Sequence, residues 1–265
     1  MERFGAKRAS QGEHASSKRL MMAFDANLRM TVGDITVSGK EHLNEIPPGK
    51  RVIIVTTHIS DVEIPVATAI LGREFDIAVT NMPKQHSFTK DPAINTAVRI
   101  AGKNNFIPID FSPENFGKMK EALDSGKAVV IPGHAPSRKW QLERGGYGAA
   151  YLANIVKDTV ILPVSMNVKA ENNGKRKERT ITNMLKKPDV EVFVGKPLEI
   201  QPVEGMEELA DIAQRAKNGQ SPTSEELELF SGLKKKLREQ SDLIMRALAE
   251  PLPESKRGPY ASAKA

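Results

Sequence analysis

The stretch RVIIVTTHISDVEIP, residues 51–65, decides the fold. Its first part is a run of β-branched residues, as expected of a strand buried on both faces in a parallel sheet. It ends in His58, followed by carboxylates at Asp61 and Glu63 and then by Pro65. Ligands of parallel α/β sheets bind beyond the C-terminal strand ends, which is where His58 falls. A histidine there can take a proton from a hydroxyl if a carboxylate holds its tautomer and stabilises the imidazolium. The competing reading is a capping box, in which Ser60 caps a helix and Glu63 reaches back to it. Pro65 speaks against that reading. With Ser60 as cap it would lie inside the helix, where its missing N–H breaks an intrahelical bond. The helix is therefore expected to start near Val62, leaving residues 58–61 as a loop.

Outward from this stretch, strands and helices alternate. Strands are expected in DITVSG, FDIAVT, NNFIPID, KAVVIPG, TVILPVSMNV and DVEVFVGKPLEI. Between them, helices are expected in PVATAILG, DPAINTAVRIAG, SPENFGKMKEALDSG and GGYGAAYLANIV. The third has Ser112 as N-cap, Pro113 in its first turn and Gly126 past its end. This order predicts an α/β fold, a mostly parallel sheet flanked by helices. Before it, Leu20, Phe24 and Leu28 at helical spacing predict an N-terminal amphipathic helix. After it, residues 205–218 and the segment beginning TSEELELF predict C-terminal helices, with Phe230, Leu233, Leu237, Ile244 and Leu248 as the core stripe. The expected organisation is a disordered tail over 1–13, the α/β domain over 14–200, helices packed on it over 201–250, and a flexible tail over 251–265.

Composition narrows the chemistry. The 265 residues carry a net charge of +6 and no cysteine, which excludes disulfides, thiolate zinc sites and a thiol nucleophile. No His, Asp and Glu cluster has metal-ligand spacing, and neither a glycine-rich phosphate loop nor a Gly-x-Ser-x-Gly elbow occurs. No apolar run is long enough to span a bilayer, and the polar N-terminal stretch lacks the apolar core of a secretory signal. These features lead us to expect a cytoplasmic protein. The positive charge suits anionic partners, and docking on the anionic membrane face is the expected form. Nucleic acid is not expected as a partner. KRKER at 175–179 and KKK at 234–236 supply charge, but one Trp and three Tyr are few for base stacking.

The segment VSGKEHLNEIPPGKRVIIVTTHISDVEIP resembles the opening of the glycerolipid acyltransferase family, the glycerol-3-phosphate and lysophosphatidic acid acyltransferases. Their first motif reads Asn-His-x-Ser-x-x-Asp. Here His58 and Ser60 match, Thr57 replaces Asn, and Glu63 stands where Asp is usual. The segment from Gly102 to Met166 resembles the second, third and fourth motif blocks in order, and VEVFVGKPLEI resembles the strand and Gly-x-Pro that follow. The likeness covers residues 32–200. In the second motif Asp110 is followed by Phe111 instead of Arg. In the third, Pro132, Gly133, His134, Ala135, Pro136 and Ser137 replace Pro-Glu-Gly-Thr-Arg-Ser. The lost Arg, Glu and Arg are the groups that in the family help hold a phosphorylated acceptor. Lipid A late acyltransferases and related mycobacterial enzymes, a second resemblance, use His with either Asp or Glu at this spacing.

The resemblance implies an acyltransferase that moves a fatty acyl group from an acyl-CoA or acyl carrier protein thioester to a hydroxyl of a lysophospholipid or other anionic lipid. It implies no cofactor beyond that donor substrate. His58 would be the general base and Glu63 its orienting acid. Ser60, Asp61, Asp110, Gly133, His134, Ser137 and Arg138 would line the substrate site. In this reading His134 and Arg138, with Lys139 and Arg144, bind the anionic acceptor, and N–H groups around Gly133 and His134 stabilise the oxyanion. The alternative is a catalytically silent relative that binds lipid or a partner.

Overall fold

The computed structural model describes Leu28 and residues 32–60, 62–81, 106–108, 112–137, 139–169 and 187–261. The expected 1–13 tail, the body of the amphipathic helix, and the DPAINTAVRIAG helix lie outside the described residues, as do Asp61, Asp110 and Arg138.

The apolar run of residues 51–65 forms β2 (Arg51–Thr56), following β1 (Ile35–Ser38) and a 3-10 turn at Lys40–Glu45. The remaining strands are β3 (Ile77–Asn81), β4 (Phe106–Pro108), β5 (Ala128–Pro132), β6 (Thr159–Lys169) and β7 (Asp189–Val194). They make one seven-stranded sheet in the order β1-β7-β6-β2-β5-β3-β4, with β2 at its centre. β6, β2, β5, β3 and β4 run parallel. β7 pairs with β6 antiparallel and with β1 in parallel. The fold is thus α/β with a mostly parallel sheet. The β2 run reads as continuously apolar because Val52, Ile53, Ile54 and Val55 are all buried, on alternating faces.

Five helices are described. They are α1 (Glu63–Leu71), α2 (Pro113–Asp124), α3 (Gly148–Ile155), α4 (Met206–Lys217) and α5 (Ser224–Ala249). One sheet face, with Ile53 and Val55, packs against residues of α2, α3 and α5. The other, with Val52 and Ile54, packs against α1 and the 3-10 turn. α2 has the expected start, with Ser112 as N-cap accepting from the Asn115 N–H and Pro113 in the first turn. α5 opens with a capping box of Thr223 and Glu226. Its buried residues Leu233, Leu237, Ile244 and Leu248 lie in the same core as Ile53 and Val55. Four of the five stripe residues are therefore core contacts, while Phe230 is half-buried.

The stretch after Pro251, expected to be loose, is tied to the body over 251–261. Short 3-10 turns at Glu254–Lys256 and Gly258–Tyr260 shape it. The Lys256 carbonyl accepts from the Leu142 N–H at 2.8 Å, and the Tyr260 hydroxyl accepts from the Gly145 N–H at 3.1 Å. Gly258 has φ 52°, and a Cβ there would run into the Leu142 carbonyl oxygen. Glycine is what lets the two segments come this close. Composition alone suggested a tail because the partners of these residues are distant in sequence. Among the described residues no helix is long and apolar enough to cross a membrane.

Candidate active site

His58 follows β2 at the C-terminal edge of the parallel block. The loop after β5 and the overhanging end of β6 meet it there. The ring is half-buried, its Nδ1 lying out of solvent contact. Its backbone is gripped from one side. The His58 N–H donates to His134 Nε2 at 3.1 Å, and the His58 carbonyl accepts from the Ser137 N–H at 3.0 Å.

Glu63 is the first residue of α1 and is fully buried. Its Oε1 accepts from the Ile59 N–H at 2.8 Å and the Thr57 hydroxyl at 3.4 Å; its Oε2 accepts from the Ser60 N–H at 2.7 Å. The helix start expected near Val62 and the Glu63–Ser60 contact of the capping-box reading are both present. The helix starts next to Val62, so Pro65 falls among the first N–H groups, which have no intrahelical acceptor in any case. Yet Glu63 does reach back to Ser60. Buried carboxylates require such donors, and these tie the acid to both residues after His58. The Thr57 hydroxyl extends the clasp by accepting from the Met166 N–H of β6 at 3.2 Å.

His134 is buried, at 2% exposure. Its Nδ1 lies 2.6 Å from the Ala135 carbonyl oxygen, so Nδ1 carries the hydrogen and Nε2 is the acceptor of the His58 N–H. Burial pushes its pKa down to about 4, and the neighbouring His58 adds to the depression; the Ala135 bond and Glu143 oppose it. The imidazole is neutral at neutral pH and both nitrogens are committed. Its expected role in binding an anionic acceptor is thus corrected: no nitrogen is left for an external anion.

Gly133 is likewise turned inward. Its N–H donates to the Thr56 carbonyl at 2.8 Å, so it is not an available oxyanion donor. A Cβ at Gly133 would meet Leu248 and Met245 of α5. Ser137 is buried; its hydroxyl donates to Glu143 Oε1 at 3.2 Å and accepts from the Lys139 N–H at 3.1 Å. Ser60 is half-buried, and its hydroxyl accepts from the Val62 N–H at 3.4 Å. Lys139 and Arg144, by contrast, are exposed. Trp140 holds φ 57°, a conformation uncommon for a non-glycine residue, in this same loop.

Lys256 was not legible as a site neighbour. Its Nζ donates to Asn167 Oδ1 at 2.6 Å and to the Val168 carbonyl at 2.7 Å. Burial lowers its pKa, while the charges of Glu63 and Glu191 pull it back up. It is a cation within electrostatic reach of the buried Glu63 carboxylate. Nothing local in PLPESKRGPY signals this, because the contact depends on how the C-terminal segment folds back. Among the described residues no group of three His, Asp or Glu side chains converges as a metal site.

No protein-family model matches the chain, and no curated protein matches its sequence. Among solved structures, the chain is similar to the 1-acyl-sn-glycerophosphate (LPA) acyltransferase PlsC from Thermotoga maritima. The identity is 16% and the TM-score 0.49, over 77% of this chain and 78% of that one. This is a likeness of backbone shape, and no residue role is carried across it.

Proposed function

We propose that the protein is an O-acyltransferase that transfers a fatty acyl group from a thioester donor, acyl-CoA or acyl carrier protein, to a hydroxyl of an anionic lipid acceptor. One observation carries the reading. A half-buried imidazole stands at the C-terminal end of the central strand, and a fully buried carboxylate clasps the two residues that follow it. The ordered motif series around His58 gives that imidazole its chemistry.

In the proposed reaction, His58 Nε2 takes the proton of the acceptor hydroxyl as the oxygen attacks the thioester carbonyl. Nδ1 is buried, which leaves Nε2 as the nitrogen a substrate would meet. The tetrahedral intermediate collapses with loss of the C–S bond. The imidazolium returns its proton to the leaving sulfur, so free thiol and acyl ester are released without an acyl-enzyme. Glu63 supports the base by fixing the loop that carries it, and its negative charge favours the imidazolium. Exposed Lys139 and Arg144 are the described cations of this loop that would meet an anionic acceptor. The altered third motif fits an acceptor held differently from a glycerol phosphate.

A second reading has its own support. Both Glu63 oxygens already serve the loop, as they would in a silent relative that keeps the shape and binds lipid without turnover. Labelled acyl-CoA and acyl carrier protein, each offered with a panel of lysolipids, separate the two. Labelled acyl ester in at least one pairing is the expected result. Lipid binding without thioester consumption in any pairing would favour the silent relative.

A further inference from the structure

The loop expected to bind the acceptor instead contributes a buried histidine to the backbone of the catalytic loop. Backbone N–H groups beyond a strand end have no ladder partner, and a buried one left unmade is costly. At His58 that donor is met by His134 Nε2, and the Ala135 carbonyl holds the other ring nitrogen in the required tautomer. The Ser137 N–H meets the His58 carbonyl from the same loop, closing a two-point clamp on the backbone of a single residue. The two rings stand apart, with centroids 6.5 Å from one another and planes tilted by 46°. His134 thus acts on the His58 backbone and not by stacking on the imidazole.

We propose that His134 is a positioning residue for His58, its Nε2 accepting the His58 N–H so that the general base is presented in one fixed orientation. This deepens the acyltransferase reading and rests on it for the catalytic consequence. The clamp itself is a statement about hydrogen bonding and is testable without turnover. Glu63 holds residues 59 and 60 while His134 and Ser137 hold residue 58, so the loop is fixed from both sides of the base.

Two variants separate the clamp from simple packing. His134→Phe keeps a ring and removes the acceptor; His134→Gln keeps an acceptor near the Nε2 position. In the full chain, amide hydrogen exchange at His58 should accelerate about tenfold or more in His134→Phe and stay within about threefold of wild type in His134→Gln. In the acyl-transfer assay, His134→Phe should lower kcat about tenfold with KM unchanged, and His134→Gln should restore most of it. Unchanged exchange at His58 in His134→Phe would overturn the proposal, as would equal kcat losses in both variants. If His134→Phe does not fold, 15N spectra of wild-type imidazoles decide the matter. Hydrogen on Nδ1 and a bare Nε2 at His134 support the clamp; hydrogen on Nε2 at neutral pH overturns it. If the wild type transfers no acyl group, the reaction reading fails, while exchange and tautomer still decide the clamp.

Discussion

At the residue scale, the site consists of two histidines with opposite assignments. His58 is half-buried and carries the proposed chemistry; His134 is buried and neutral, and holds a backbone group. Protonating His134 would place a charge in the interior and turn its Nε2 from acceptor to donor, against the His58 N–H. The folded pKa, about 4, lies below the ordinary 6.5, so the unfolded state binds the proton first as pH falls. The stabilisation is complete above about pH 6.5 and is lost as pH drops through about 4. It amounts to about 3 kcal/mol over that window. Denaturant unfolding at pH 7 and pH 4 should therefore show a smaller loss of stability in His134→Gln than in wild type. Equal losses in the two proteins would count against a buried neutral His134. The His58 and Glu63 spacing was legible in sequence because one short loop separates β2 from the start of α1, with His58 in that loop and Glu63 at its far end. The role of His134 was not, because burial of a loop histidine depends on the strand and helix that close over it.

At the element scale, strand and helix order was legible throughout the described sheet, since each strand is a segment with β-branched or aromatic residues, apolar throughout or in alternation, bounded by turn residues. The two strands that depart from the parallel block, β7 and β1, were not distinguished, because antiparallel pairing with β6 is a matter of connection and not of composition. The C-terminal segment was misread for a similar reason. Its polar residues have partners in the loop after β5 and at the end of β6, none of them near in sequence. Gly258 sits where a left-handed φ and the Leu142 carbonyl both require the absence of a side chain. Gly258→Ala should lower unfolding stability by about 1–3 kcal/mol, measured by urea titration, through backbone strain and displacement of the 251–261 segment. A loss within about 0.3 kcal/mol would mean that this segment is not held as described.

At the scale of the whole molecule, the proposed site lies at the C-terminal strand ends of the parallel block, and the C-terminal segment closes back beside it. A net charge of +6 favours an anionic surface, where a lipid acceptor would be gathered. Co-sedimentation with vesicles should rise with anionic lipid content and fall with added salt. Binding that is indifferent to both would remove the membrane from the account. The central claim remains the proton transfer at His58, and its most direct measurement is the acyl-transfer rate of His58→Ala against wild type, on the best acceptor and with folding checked in parallel. The variant should fold, and its rate should fall by about a thousandfold, within the range expected for loss of a general base. A folded His58→Ala protein that transfers acyl groups at the wild-type rate would contradict the claim.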